Sequence, residues 1–211
     1  MLFTTAIANL EAGVRLGLPG AEAQGRLAPR PRRQWPPGFN PARIRHAAGL
    51  LLIFPLDDRA HIVLTVRAEA LRHGGQISLP GGVVELGETF EQTALREAHE
   101  EIALPLGSVR VVTMLTPLDI PVSGFRLHPI VAVQDSRPSL HPADGEVARV
   151  LEVDIDELIA PGQPVTLERE RDGETLVVPG FHVQGHEIWG ATAMVLAEFL
   201  SLLGWRPPDT C

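Results

Sequence analysis

Between Gly81 and Leu104 the chain gathers carboxylates, glycines and one arginine at spacings that suit chemistry on a phosphate. Glu97, Glu100 and Glu101 stand at i, i+3 and i+4, so on a helix they share one face. Three carboxylates so close repel one another and weaken the helix unless something compensates. A hard divalent cation does so: Mg²⁺ or Mn²⁺ takes oxygen ligands, keeps several waters and binds through few protein groups plus substrate phosphates. Arg96 lies one turn before Glu100 and can neutralise and orient the cluster. The glycines at 81 and 82 let backbone approach a phosphate or metal closely. No Ser or Cys nucleophile accompanies them. The implied reaction is attack by metal-activated water on phosphorus, with metal and Arg stabilising the developing charge.

The elements that must hold these groups are legible around them. Thr89 followed by Gln92 is a capping box, which places the start of a helix at Thr89; Ala94, Ala98 and Ile102 give that helix a small apolar face. Residues 47–54 read as a buried strand, 57–58 as a turn and 61–67 as its neighbour. A glycine-rich loop at 73–76 leads to Leu79-Pro80-Gly81-Gly82. Further strands are predicted at 109–115, 127–133 and 147–153, then a short helix at 155–159. A late strand at 175–178 is expected to end at the turn pair Pro179-Gly180, and an apolar helix at 190–203 closes the chain. Strands interleaved with helices give an α/β or α+β layer structure. Upstream, residues 3–18 carry apolar side chains at helical spacing. Residues 19–42 mix Arg26, Arg30, Arg32 and Arg33 with six prolines, as in an extended arm. The expected domains are an N-terminal helix and Pro/Arg-rich arm over 1–42, a main domain over 43–205 and a tail over 206–211.

Composition removes several function classes. The 211 residues carry 18 basic and 26 acidic side chains, a net charge of −8, which argues against a nucleic-acid coat. Cys211 is the single cysteine; an intrachain disulfide is excluded and a reducing, cytoplasmic setting is expected. The longest nearly apolar run, 47–56, is too short to span a bilayer and contains Pro55.

Gly82, Glu88, Arg96-Glu97 and Glu100-Glu101 fill the pattern Gly-x5-Glu-x7-Arg-Glu-apolar-x-Glu-Glu-x-Gly-apolar. At ~7% per fixed residue, six matches arise by chance on the order of once in ten million windows. In this stretch the chain resembles the Nudix hydrolases. The resemblance implies an α-β-α sandwich with a mixed sheet, and hydrolysis of a nucleoside diphosphate linked to another group. It implies that Glu97, Glu100 and Glu101 hold the metal, with the Gly81 carbonyl as a further ligand, and that Glu88 and Arg96 brace loop and helix. The late glycine of the pattern is Ala103 here, at the helix end, where the change touches cap geometry more than chemistry. Residues 64–72 with 75–82 are similar to the coenzyme A pyrophosphatase motif, and 188–193 to the closing helix of that subgroup. The match has one residue fewer between Arg72 and Gly75, and Leu79 in place of Phe. The expected substrate is coenzyme A or an acyl-coenzyme A. ADP-ribose, a dinucleoside polyphosphate, an oxidised nucleotide or a non-catalytic nucleotide-sensing module are the alternatives.

Arg67 and Arg72 are candidate phosphate clamps, since the guanidinium offers a bidentate fork; Gln76 and Gly82 complete the expected substrate contacts. Glu146, ahead of the 147–153 strand, is a candidate general base, with Asp119 and Glu97 as rivals. His182 and His186 show a His-x3-His spacing, but Gly185 argues against the helix a zinc site there would need. Phe90 is assigned to packing, and Trp189 to the core first, with stacking on a base as the alternative. An isolated amphipathic helix needs somewhere to bury its face, so the helix near 3–18 is a candidate homodimer contact.

Overall fold

The apolar run at 47–54 becomes the axis of the main sheet. In the computed structural model, which describes residues 1–70, 74–171 and 173–206, the chain begins with helices α1 (Phe3–Leu16) and α2 (Gly20–Gly25). Strands β1 (Arg45–Leu56), β2 (Arg59–Arg67), β3 (Ile77–Ser78) and β4 (Gly81–Val83) precede α3 (Phe90–Ile102). Then come β5 (Arg110–Met114), β6 (Leu118–Ile120), β7 (Phe125–Val133), β8 (Val147–Asp154) and α4 (Ile155–Ile159). The chain continues through β9 (Val165–Arg171), β10 (Glu174–Val183), β11 (His186–Trp189) and α5 (Gly190–Leu202).

The main sheet runs β3-β2-β1-β7-β5, with β4 beside β1, β6 beside β7 and β8 beside β2. β1 and β7 are parallel, with Leu50 opposite Ile130, while the other pairs are antiparallel, giving the mixed sheet expected. A strand covered on both faces reads as a continuous apolar run, and β1 is such a strand. Leu50, Leu52 and Phe54 pack with Ala94, Ala98 and Ile102 of α3. Leu51 and Ile53 face the opposite layer, built from α5 and from Ala6 and Leu10 of α1. Ala6 and Leu10 of α1 are therefore buried within its own chain, against the layer that α5 builds.

Two expectations about the later chain are corrected. Pro179-Gly180 is not a turn: both residues lie within β10, which runs on to Val183 in a separate sheet ordered β11-β10-β9. Pairing with β11 begins only at Gly180, opposite Trp189. Pro179 thus has a strand partner on one side alone, through Thr166 of β9, an edge-like position where a missing N–H is tolerated. The segment 19–42 is also not wholly extended, since it holds α2, and Arg30 exchanges backbone hydrogen bonds with Val177 of β10. No helix among the described residues is long and apolar enough to cross a membrane.

Candidate active site

The carboxylate helix starts where its cap dictates. The Thr89 hydroxyl accepts from the Gln92 N–H at 3.2 Å and the Gln92 side chain accepts from the Thr89 N–H at 2.8 Å, a reciprocal pair that satisfies two otherwise orphaned donors. Phe90, the first helical residue, stacks on His128 of β7 with ring centroids 3.5 Å apart. At the far end Ala103 adopts the left-handed conformation, φ 56°, the position where the family pattern has glycine.

Arg96 is the hub of the helix's acidic face. Its Nε and Nη2 donate to the two Glu88 oxygens at 2.7 and 3.1 Å, and Nη1 donates to both Glu97 and Glu100 at 2.9 Å. Glu88 also accepts from the Thr93 hydroxyl at 2.7 Å. Arg96 foremost, with Thr93, holds the Glu88 carboxyl down at about 2. Burial pushes Glu97 upward, against the pull of Arg96.

Glu101 is different. It is 9% exposed, and its Oε2 accepts from the Gly81 N–H at 3.1 Å. Burial pushes its carboxyl up to about 8, and the negative charges of Asp144, Glu97 and Glu146 push the same way. The β4 backbone lies close because glycine permits it. A Cβ on Gly81 would sit 2.3 Å from the Ala48 carbonyl oxygen, and one on Gly82 would sit 2.4 Å from the Glu97 carboxyl.

Strand β8 brings Glu146 to this patch. Its carbonyl accepts from the Ala68 N–H at 2.8 Å, and its carboxylate accepts from the Arg67 guanidinium at 3.2 Å. Arg67 also pairs with Gln76 through backbone, N–H to carbonyl at 3.0 Å. The structure thus brings together Gly81, Gly82, Glu88, Arg96, Glu97, Glu100, Glu101, Glu146, Arg67 and Gln76. Arg72 lies outside the described residues. Asp119 is not with them: Arg126 holds it at 2.6 Å and lowers its pKa, and Trp35 Nε1 donates to it at 3.2 Å. That makes it a poor proton acceptor.

Among the described residues no three His, Cys, Asp or Glu side chains form a finished metal cage. Glu97 and Glu100 are both bonded to Arg96 instead, at 2.9 Å. The donor set nevertheless suits a hard cation: oxygen ligands only, crowded by like charge, facing a backbone that approaches without side chains.

Three features were missed by sequence reasoning. Asp144 joins the acidic patch from the loop ahead of β8, where its oxygen accepts from the Glu146 N–H at 2.8 Å; its place two residues before Glu146 was the available signal. His46 and His128 share a hydrogen bond at 2.9 Å beneath Phe90, and burial foremost holds His128 down at about 4; nothing in the linear order joins them. Trp189, assigned to the core first and to base stacking second, is only half-buried and lines an open cleft with Gln76, a position its sequence neighbours did not signal.

Comparison with known proteins agrees with this geometry. Residues 45–173 match the model of the NUDIX domain. A Nudix hydrolase named NudL from Pectobacterium atrosepticum, itself uncharacterized, is 33% identical over 178 residues, covering 82% of this chain and 91% of its own. The protein of the same name from Photorhabdus laumondii is 37% identical over 156 residues, covering 73% of this chain and 82% of its own. A MutT/nudix family protein from Enterococcus faecalis shares the fold, with a TM-score of 0.53 at 17% identity over 80% of this chain and 64% of its own.

Proposed function

We propose, from the premise that this chain belongs to the Nudix family, that it hydrolyses the diphosphate bridge of a nucleoside diphosphate derivative at the Glu97–Glu101 patch. The observation that carries this reading is Glu101: a buried carboxylate held by the Gly81 N–H, facing three other acids across a glycine backbone. Leaving such a group without a counter-charge is costly. Glu97, Glu100 and Glu101, with the Gly81 carbonyl, would hold a divalent ion, Mg²⁺ or Mn²⁺. Once bound, the ion supplies positive charge against the diphosphate and makes a nearby water more acidic.

The protein's own groups do the rest. Arg96 and Glu88 fix the loop to the helix through paired hydrogen bonds, so the carboxylates keep their places. Arg67, beside Glu146, offers a fork to the substrate phosphates, with Arg72 and Gln76 as further contacts and Gly82 giving close backbone approach. Glu146 accepts the proton of the attacking water, with Glu97 as the alternative base. The water oxygen bonds to one phosphorus, the bridging P–O bond breaks, and its electron pair leaves on the other phosphate.

The finer reading is coenzyme A or an acyl-coenzyme A, supported by the 64–82 motif and its similarity to the coenzyme A pyrophosphatase subgroup. The loop before Gly75, shortened by one residue, makes ADP-ribose and dinucleotides the second reading, because a one-residue change shifts backbone by ~3.5 Å. A panel of coenzyme A, acetyl-coenzyme A, ADP-ribose, NADH and nucleoside triphosphates, with millimolar Mg²⁺ or Mn²⁺, tests both readings. Cleavage is expected in the native chain, falling at least about a hundredfold in Glu101→Gln. Near-normal turnover in that variant, or no cleavage of any diphosphate, overturns the proposal.

A further inference from the structure

The chemistry of the acidic patch makes no use of the β10–β11 hairpin, which lies beyond the residues matched by the family model. The hairpin stands against the edge strand β3, and between them opens a cleft of about 360 Å³. Its walls are the backbone and side chain of the Gly75-Gln76 loop on one side, and His182, His186 and Trp189 on the other. The volume falls in the range of small-molecule sites.

Two observations give the cleft a chemistry. The first is continuity with the acidic patch. Gly75 N–H donates to the Arg67 carbonyl at 2.9 Å, and the Gln76 carbonyl accepts from the Arg67 N–H at 3.0 Å. The Arg67 guanidinium reaches Glu146 at 3.2 Å. One residue of β2 therefore separates the cleft from the carboxylates. Gln76 is five residues from Gly81, at most ~18 Å even if fully extended. The second is the character of the walls. Trp35 stacks on Phe39 and Trp205 packs against Phe181, whereas among the described residues no aromatic ring covers the half-buried Trp189. No arginine stands among the described lining residues, and the carboxylate of Glu187, which also lines the cleft, is bonded to Arg169. A half-buried indole beside imidazoles and a carboxamide suits a flat, hydrogen-bonding group.

We propose that the cleft between β3 and the β10–β11 hairpin receives the nucleobase of the substrate, with Trp189 as the stacking face and Gln76 as the hydrogen-bonding edge. This deepens the hydrolase reading by giving the substrate a direction: diphosphate at Glu101, base toward Trp189.

The test uses the full chain with EDTA, so that binding is read without turnover. AMP is the probe and ribose 5-phosphate the control. AMP should quench tryptophan emission saturably; Trp189→Phe should lose most of that change, and Trp189→Ala should weaken AMP at least about fivefold by calorimetry. Ribose 5-phosphate should bind the native chain and Trp189→Ala alike. If Trp189→Ala does not fold, Gln76→Ala and Trp189→Phe carry the affinity measurement. An AMP response unchanged in these variants overturns the proposal, as does equal weakening of ribose 5-phosphate. Adding Mn²⁺ separates the two proposals. AMP bound through Trp189 without cleavage of any diphosphate sinks the hydrolase and keeps the subsite. Cleavage of ADP-ribose with KM unchanged in Trp189→Phe and Trp189→Ala sinks the subsite and keeps the hydrolase.

Discussion

Two buried carboxylates, one on α3 and one on α5 across the main sheet, solve the same problem in opposite ways. Glu198 of α5 is fully buried and accepts from four donors: Gly20 N–H at 3.2 Å, Gln24 Nε2 at 2.8 Å, and Thr116 N–H and Oγ1 at 3.2 and 2.7 Å. Those donors come from α2 and from the segment between β5 and β6, so the carboxylate ties the N-terminal segment to the sheet. Glu101 of α3 has the Gly81 N–H and otherwise faces Asp144, Glu97 and Glu146. A buried polar group whose bonds are complete belongs to the fold, while one that is crowded by like charge has been left poised for something the protein binds.

The comparison breaks most easily at Glu198. Glu198→Ala removes the shared acceptor and leaves four donors unmet around a cavity, so it should cost about 4 kcal/mol of stability. Catalysis measured below the lowered melting point should stay within about threefold of native. Glu101→Gln should do the reverse, losing turnover while keeping or gaining stability, because it deletes a charge that burial disfavours. Chemical denaturation beside the substrate panel reads both. If Glu198→Ala silenced the enzyme without loosening the fold, the division of labour between the helices would be wrong.

A smaller effect sharpens the contrast through pH. The Glu101 carboxyl titrates near 8 when folded, against an ordinary value of 4.5. Between those values the folded chain retains a proton that the unfolded chain has released. The group's contribution to stability therefore falls as pH rises through this window, and its full cost is present above about 8. In EDTA the melting temperature of the native chain, relative to Glu101→Gln, should decline from pH 5 to pH 8. Mg²⁺ or Mn²⁺ should restore the native chain most at pH 8 and Glu101→Gln least. A native-minus-variant difference that is flat with pH, or equal rescue of both chains by metal, would contradict the reading of Glu101 as an uncompensated charge.

Local chemistry made much of this legible in the sequence. Thr89 and Gln92 gave the helix start through a reciprocal cap that needs no tertiary partner, and the apolar run at 47–54 marked β1 because both of its faces are covered. What could not be read were pairings between distant segments. His46 meets His128 only because β1 and β7 run parallel. Asp144 reaches Glu101 because the loop before β8 is bonded to the end of α3, with the Ala143 N–H donating to the Glu101 carbonyl at 2.9 Å. Strand β9 hides in Val165–Arg171, whose charged side chains mask the alternation that a half-buried strand usually shows. Trp189 looked like core because its neighbours in sequence are: Ile188 is fully buried and α5 is mostly apolar and buried. Its half-exposure follows from the hairpin opposite β3, which Pro179-Gly180 had disguised as a turn.

The last contrast lies at the helix ends. α5 places Gly204 just beyond its end at φ +92°, whereas α3 places Ala103 in the left-handed region at φ 56°. A left-handed alanine carries a Cβ too close to the following carbonyl, a strain of roughly 1–2 kcal/mol, while glycine there costs more entropy when the chain folds. Relief should outweigh entropy in Ala103→Gly, raising stability by about 0.5–1 kcal/mol, or ~2 °C in melting temperature for a chain of this size. Turnover should be unaltered, since Ala103 is bonded to the His99 and Ala98 carbonyls and touches none of the acidic face. If Ala103→Gly instead lowered turnover with no gain in stability, the strained cap would be holding Glu100 and Glu101 in place, and the end of α3 would have to be counted with the site rather than with the fold.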